Sequence, residues 1–413
     1  MTAYRHILVT GQSNAAGGAT GNPTLDAVVS PTTQSNRDAL VADAWGYLEP
    51  VTNPVAAGVQ YQYIQRTICE RAQPAFGIPT IISTHAAGGT AYSGLKKGTA
   101  TYSAAIATVT ACKAKLDMFP GDDTYEVVAV HVDHGEANSG TAPDTYAGYL
   151  DEWITDYRAD IVAVTGQSKQ PLMFMAAVGS VGDGTSSLGV LRAHRTEPYF
   201  IAVGPKYHLP YGTSTHQTAL GHYLNGEYHA KALAYTIETG RRWEPLSPLS
   251  IARNANVITI VFSVPVGALQ FKALTDGTGS TPTNKGFAYS DSTSSATISS
   301  VAITADDTVT ITLNTTPTGS SQTVTYGNTG VLCDSDDYPS AYDGRQLHNW
   351  CMPFSEAVGF TYTPLALPSD AAYSSPAVEA SGDIEEWDET WWTRNLEMWD
   401  GTQWVTVQAS ELV

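Results

Sequence analysis

Four short segments carry the residue types that acyl transfer requires. Gly11-Gln12-Ser13-Asn14 follows the apolar run HILVT, so Ser13 would present its hydroxyl where a strand ends. Gly11, lacking a Cβ, permits a tight backbone path there. If a helix starts at Ser13, its free N–H groups favour negative charge beside the hydroxyl. The second segment, His85-Ala86-Ala87-Gly88-Gly89-Thr90, offers a glycine whose N–H can come close to a substrate oxygen. In the third, His134-Gly135-Glu136-Ala137-Asn138, Asn138 brings a side-chain amide and Glu136 a carboxylate. The fourth, Tyr211-Gly212-Thr213-Ser214-Thr215-His216, sets a histidine just before a helical stretch. Each segment alone also reads as an ordinary turn, a helix cap or a solvated loop. Together they supply a nucleophile in Ser13 and a base in His216. The N–H groups of Ser13 and Gly88 and the Asn138 amide supply donors for an oxyanion.

These segments need a scaffold that brings strand ends together. Apolar runs at 6–9, 80–84, 127–132, 172–177 and 200–203 predict strands, and stretches at 60–72, 104–119, 146–164 and 218–239 predict helices. Tyr146, Tyr149, Leu150, Trp153, Ile154, Tyr157 and Ile161 follow the i, i+3, i+4, i+7 spacing of a helix packed on a sheet. Repeated strand-then-helix order implies a parallel sheet covered on both faces. Ligands of such sheets bind beyond the carboxyl ends of the strands, where all four segments fall.

In order and content these segments resemble the blocks by which SGNH hydrolases are recognised, in particular the sialate O-acetylesterase and carbohydrate acetylesterase branch. GQSN at 11–14, GGT at 88–90, HGEAN at 134–138 and His216 with the following TALGHYLNGEY carry the resemblance. It implies a flavodoxin-like three-layer α/β/α domain over residues 1–244. It also implies removal of O-acetyl or other acyl groups from a cell-surface or environmental polysaccharide, with Ser13, His216, Gly88 and Asn138 catalytic and no cofactor. Two positions depart from the pattern: His134 stands where the family has glutamine, and Thr213 where the final DxxH block has aspartate. In serine triads that acid orients the histidine and stabilises its cation, and its loss costs about 10⁴ in rate. Three arrangements answer the substitution. A Ser13–His216 dyad is held by a backbone carbonyl or by Thr213; another carboxylate, such as Glu136, substitutes; or the domain is weak or inactive and serves as a carbohydrate- or receptor-binding module.

The proline-bearing stretch RRWEPLSPLS at 241–250 ends the helical pattern. Short Val-, Ile- and Thr-rich runs at 257–262, 297–303, 308–313 and 323–326 then predict an all-β sandwich over 245–363. This part resembles bacterial immunoglobulin-like modules. Residues 364–413 form a small Trp-rich β tail, in which Asp400-Gly401 between Trp399 and Trp404 predicts a hairpin. Its MWDGTQWVTV resembles segments of phage tail-fibre and tailspike proteins. That resemblance implies a virion protein, as a homotrimer or a partner of other virion proteins; a secreted glycan esterase is the alternative. In the binding-module reading Trp387 and Trp392 would stack on sugar rings, and the loop at 19–58 is expected to line the pocket.

The formal net charge of −19 at pH 7 disfavours nucleic-acid backbones and anionic membranes as partners. Hydrophobic residues at 42% and charged residues at 15% allow a sizeable core. No apolar run is long enough to predict membrane insertion. The N-terminus, MTAYRHILVTG, enters a strand without the apolar region of a signal peptide, so an extracellular place would need another exit. Cys69 and Cys112 read as buried thiols, while Cys333 and Cys351 flank a polar loop and allow a disulfide. No metal is expected: His131 and Asp133 face one side of a strand and His134 the other. Asp334, Asp336 and Asp337 read as a solvated loop rather than a calcium site.

Overall fold

The computed structural model describes residues 3–16, 64, 65, 67, 68, 71, 80–117, 124–179, 184–274, 282–327 and 329–373. It also gives the backbone of short strands at 39–42, 48–50, 55–56, 59–60, 396–399 and 404–407. Cys69, Trp387, Trp392 and most of the loop at 19–58 lie outside the described residues.

Alternation along the first strand decides the layering. Ile7 and Val9 face one side, Leu8 the other, and all three are fully buried. A strand apolar on both faces belongs inside a sheet covered on both sides. That sheet comprises β1 (Ala3–Gly11), β2 (Ala39–Ala42), β3 (Leu48–Pro50), β4 (Thr80–Ala86), β5 (Thr124–Asp133), β6 (Leu172–Ala177) and β7 (Phe200–Pro205). Their order is β3-β2-β4-β1-β5-β6-β7. All neighbours run parallel except β2 and β3.

The helices are α1 (Ser13–Ala16), α2 (Ala100–Asp117), α3 (Pro143–Thr165), α4 (Thr185–Thr196) and α5 (Ala219–Thr239). Leu8, Ile81, Val130 and Met173 share one core cluster with Val109 of α2, Trp153 of α3 and Leu191 of α4. Ile7, Val9, Phe174 and Ile201 share the other with Ile64, Ile68 and with Leu224, Leu233 and Ile237 of α5. The three-layer α/β/α arrangement follows. In α3 the expected stripe is buried from Tyr146 to Ile161, with Tyr149 only partly covered. Each fully buried large side chain there contributes roughly 1.5–3 kcal/mol. Helix α4 escaped prediction because its buried face includes Ser186, Ser187, Gly189 and His194, which break the apolar stripe.

The strands Ser247–Asn254, Val257–Ser263, Thr308–Leu313 and Ile298–Ala305 form an antiparallel sheet in that order. Phe287–Ser290, Thr323–Tyr326 and Phe354–Ala357 form a second. Alternation in Val257–Ser263 buries Ile258, Ile260 and Phe262, which join Phe287, Val324 and Phe354 in one cluster. The stretch read as a break enters this sheet as strand Ser247–Asn254. Pro248 is accommodated because the strand is an edge and its register shifts beside the proline.

Met1–Ser374 form one compact unit and Ser375–Val413 a second. In the second, Leu396–Trp399 pairs antiparallel with Trp404–Val407, and Trp399 stands opposite Trp404, as the hairpin pattern predicts. Two expectations need correction. Cys333 and Cys351 are buried free thiols, as is Cys112, so the allowed disulfide is not formed. Asp334 and Asp336 are buried rather than solvated, because Asn349 and Lys231 turn their donors onto them; Asp337 alone of the three is exposed.

Candidate active site

β1 sits at the centre of the sheet, and the chain departs to opposite sides of it: first toward β2 and β4, then, after β4, across to β5. Open α/β sheets form their crevice at such a switch point. The register sets Gly11 opposite both Ala86 and Asp133, so three strands end level. The segments at Ser13, Gly88 and Glu136 therefore leave the sheet side by side.

Gly11 makes the first of these turns. Its φ is +140°, and a Cβ on it would lie 2.1 Å from the Asp133 carbonyl oxygen. The Gln12 N–H donates to that same carbonyl at 3.0 Å, and the Ala87 N–H donates to the Gly11 carbonyl at 3.1 Å. Ser13 then opens α1 with its side chain half-buried.

The loop after β7 presents His216. The Gly212 and Thr213 N–H groups donate to the His216 carbonyl at 2.9 and 3.3 Å, and Tyr211 bridges to Gln217. Thr218 caps α5 immediately afterwards, its Oγ1 accepting from the Gly221 N–H at 3.1 Å. This brings His216 Nε2 to 2.9 Å from Ser13 Oγ.

When the Ser13 hydroxyl donates to Nε2, the proton of the neutral ring sits on Nδ1. Nδ1 faces Thr215 Oγ1 at 3.2 Å and Thr213 Oγ1 at 3.4 Å. The Thr213 oxygen already accepts the His216 N–H at 3.0 Å and the Thr215 N–H at 3.3 Å. Those two bonds occupy its lone pairs, so Thr215 is the acceptor for Nδ1–H. Among the described residues no carboxylate faces Nδ1; Glu136 turns inward instead. Of the expected partners of His216, Thr213 holds the loop backbone, and the nearer hydroxyl comes from Thr215, which sequence reasoning missed.

Of the expected donors, Gly88 stands beside Ser13. A Cβ on the exposed Gly88 would lie 4.0 Å from Ser13 Cβ, and the Gly88 N–H has no acceptor among the described residues. The Ser13 N–H, at the start of a helix, lacks an intrahelical partner. Asn138 is engaged on two sides. Its Oδ1 accepts the Tyr92 N–H at 2.9 Å, and its Nδ2 gives one hydrogen to Thr141 Oγ1 at 3.1 Å, leaving the second. His134 accepts from the Tyr146 hydroxyl at 2.7 Å and donates to the Thr90 carbonyl at 3.2 Å. It thus ties the glycine segment to α3. Burial pulls His134 down to about 4.

Beneath this rim lies a charged group that the sequence did not advertise. Lys206, directly after β7, is fully buried, with Nζ 2.5 Å from Asp133 Oδ1 and 2.9 Å from Glu136 Oε1. Burial opposes its charge, but the two carboxylates outweigh burial and hold the amine well above the ordinary lysine range. Burial also pushes Glu136 up, and Lys206 pulls it further down, to below the usual carboxylate range. At Asp133 burial outweighs Lys206, and the group stays above that range. His131 pairs elsewhere, Nδ1 to His229 Nδ1 at 2.9 Å. His131, Asp133 and His134 therefore serve three separate partners.

The fold is similar to that of a carbohydrate acetylesterase from Xanthomonas citri, with a TM-score of 0.57 and 16% identity over 85% of this chain and 80% of that one. A protein from Arabidopsis thaliana matches 55% of this chain and 97% of its own, at 16% identity and a TM-score of 0.43. A family two carbohydrate esterase from Cellvibrio japonicus matches 55% of this chain and 60% of its own, at 14% identity and a TM-score of 0.29. The first establishes a shared fold across most of both chains. No protein-family model and no curated protein matches the chain.

Proposed function

We propose that this protein is a serine esterase that removes O-acetyl groups from a carbohydrate through Ser13 and His216. The observation that carries the reading is the 2.9 Å approach of Ser13 Oγ to His216 Nε2, with Nδ1 turned to a hydroxyl. The fold shared with the Xanthomonas citri acetylesterase supports the substrate class.

In this reading Ser13 Oγ attacks the acyl carbon while His216 Nε2 takes its proton. The carbonyl oxygen becomes an oxyanion among the Ser13 and Gly88 N–H groups and the free hydrogen of Asn138. One such donor is worth roughly 3 kcal/mol. His216 returns the proton to the departing sugar oxygen, and an acyl-Ser13 ester remains. Water then attacks that ester, giving its proton to His216. Collapse releases the carboxylic acid, and the proton goes back to Ser13.

A second reading, a weak or inactive domain that binds carbohydrate or a receptor, is favoured by the hydroxyls that stand at Nδ1 in place of a carboxylate. Hydrolysis of p-nitrophenyl acetate separates the two. Wild type is expected to turn over, and Ser13→Ala to lose at least about 10³-fold in kcat. Equal rates for the two proteins would sink the esterase reading. Acetate release from an O-acetylated polysaccharide, monitored with the same pair, tests the substrate class.

A further inference from the structure

Resting on that reading, the geometry points to Asn14 and Asn225 as positioning residues that hold His216 by its two chain neighbours. Both hydrogens of the Asn14 amide are engaged: Nδ2 donates to Glu136 Oε1 at 3.1 Å and to the Thr215 carbonyl at 3.0 Å. Two acceptors on one nitrogen fix the orientation of the amide, since a flip would set oxygen against oxygen. Asn225 repeats the arrangement from α5. Its Nδ2 donates to Asp133 Oδ2 at 2.9 Å and to Gln217 Oε1 at 3.4 Å. Thr215 and Gln217 flank His216, and each is tied through an asparagine to one of the two carboxylates that Lys206 grips.

All five anchoring side chains, Asn14, Asn225, Asp133, Glu136 and Lys206, are buried. A buried network with little freedom to rearrange is a firm anchor for a loop that is itself half exposed. Asn14 also governs the partner of Nδ1, because the Thr215 it holds is the residue whose hydroxyl lies 3.2 Å from that nitrogen. A carboxylate at Nδ1 fixes the imidazole directly. Here the fixing is relayed through Thr215 from charges buried behind it.

The test is steady-state hydrolysis of p-nitrophenyl acetate by wild type, Ser13→Ala, Asn14→Ala, Thr215→Val and the double variant N14A/T215V, with circular dichroism as a check of folding. Asn14→Ala and Thr215→Val are each expected to lower kcat about 10- to 100-fold with KM within about twofold, since a displaced base slows chemistry and not binding. The double variant is expected to fall no lower than the worse single variant, because both changes cut one relay. A merely structural role would give multiplying losses instead. If Asn14→Ala does not fold, Thr215→Val decides alone, its site being half exposed. Wild-type kcat in Thr215→Val or in folded Asn14→Ala, or fully multiplicative losses, overturns the proposal. Wild-type activity in Ser13→Ala would instead remove the esterase reading on which it rests.

Discussion

A hydroxyl at Nδ1 can orient an imidazole but cannot neutralise the charge it acquires. Thr213 stands 3.4 Å from Nδ1, at the position where the resembling block carries aspartate. Thr213→Asp would keep an acceptor for the two backbone N–H groups and bring a carboxylate beside the ring. A neighbouring negative charge favours the protonated imidazole. The acid limb of kcat/KM is therefore expected to move to higher pH, by roughly one unit or more. A rise in kcat of about tenfold should accompany it, a fraction of what a full triad acid supplies. The pH–rate profile of the variant checks both, and an unmoved limb would show that the new carboxylate does not face His216. Ser13, Gly88, Asn138 and His216 stand out as candidates in the sequence because their types and their places at strand ends are local features. Thr215 was not, since its role depends on Thr213 having both lone pairs occupied.

At the scale of elements, the turn after β1 matters most. Gly11→Ala would force a Cβ to within 2.1 Å of a backbone oxygen at a φ that side chains avoid. We expect a loss of about 3 kcal/mol or more, or failure to fold. Gly88→Ala meets ordinary contact at 4.0 Å and retains its N–H, so its stability should stay within about 1 kcal/mol of wild type. Urea unfolding of the two variants tests the contrast; similar midpoints would mean that Gly11 is not the strained position. Five strands of the seven-stranded sheet, β1 and β4 to β7, were legible as continuous apolar runs, because parallel strands are covered on both faces, while β2 and β3 were not. Helix α4 and the edge strand Ser247–Asn254 were not. The first buries serine, glycine and histidine, and the second opens with a proline that reads as a break.

Across the whole molecule, the second sheet region grips the helices of the first. Arg195 of α4 pairs with Glu356 at 2.5 Å and lies over the Phe360 ring. Lys231 of α5 reaches Asp336, Asn349 and the Leu347 carbonyl. The helix that begins just after His216 is thus braced from behind. Packing this close also encloses histidines. Burial holds His6, His131, His208 and His222 down at about 3, and His134 and His194 at about 4. These rings stay neutral in the fold, while an unfolded chain takes up protons near pH 6.5. Stability should therefore fall as pH drops below about 6.5 toward 4. Glu238, pushed up to about 7 by burial, and Asp334, to about 6, act in the opposite direction but are fewer. Guanidinium unfolding midpoints at pH 7.5, 6 and 5 measure the balance, and a midpoint that does not decline would refute it.

What the sequence by itself determined is local or periodic: the Ser13 turn after an apolar strand, the stripe of α3, the alternation of the β runs and the loop that carries His216. Period and turn chemistry act over a few residues, so they can be read from a string. What only the tertiary structure decided is the support of the loop that carries His216. Asn14 meets Glu136 across 122 positions and Lys206 meets Asp133 across 73. A lysine after an apolar strand and an asparagine after a serine carry no mark of that meeting. Burial made the pairing necessary, because an isolated charge cannot remain inside a core, and the level ends of β1 and β5 brought the partners within reach.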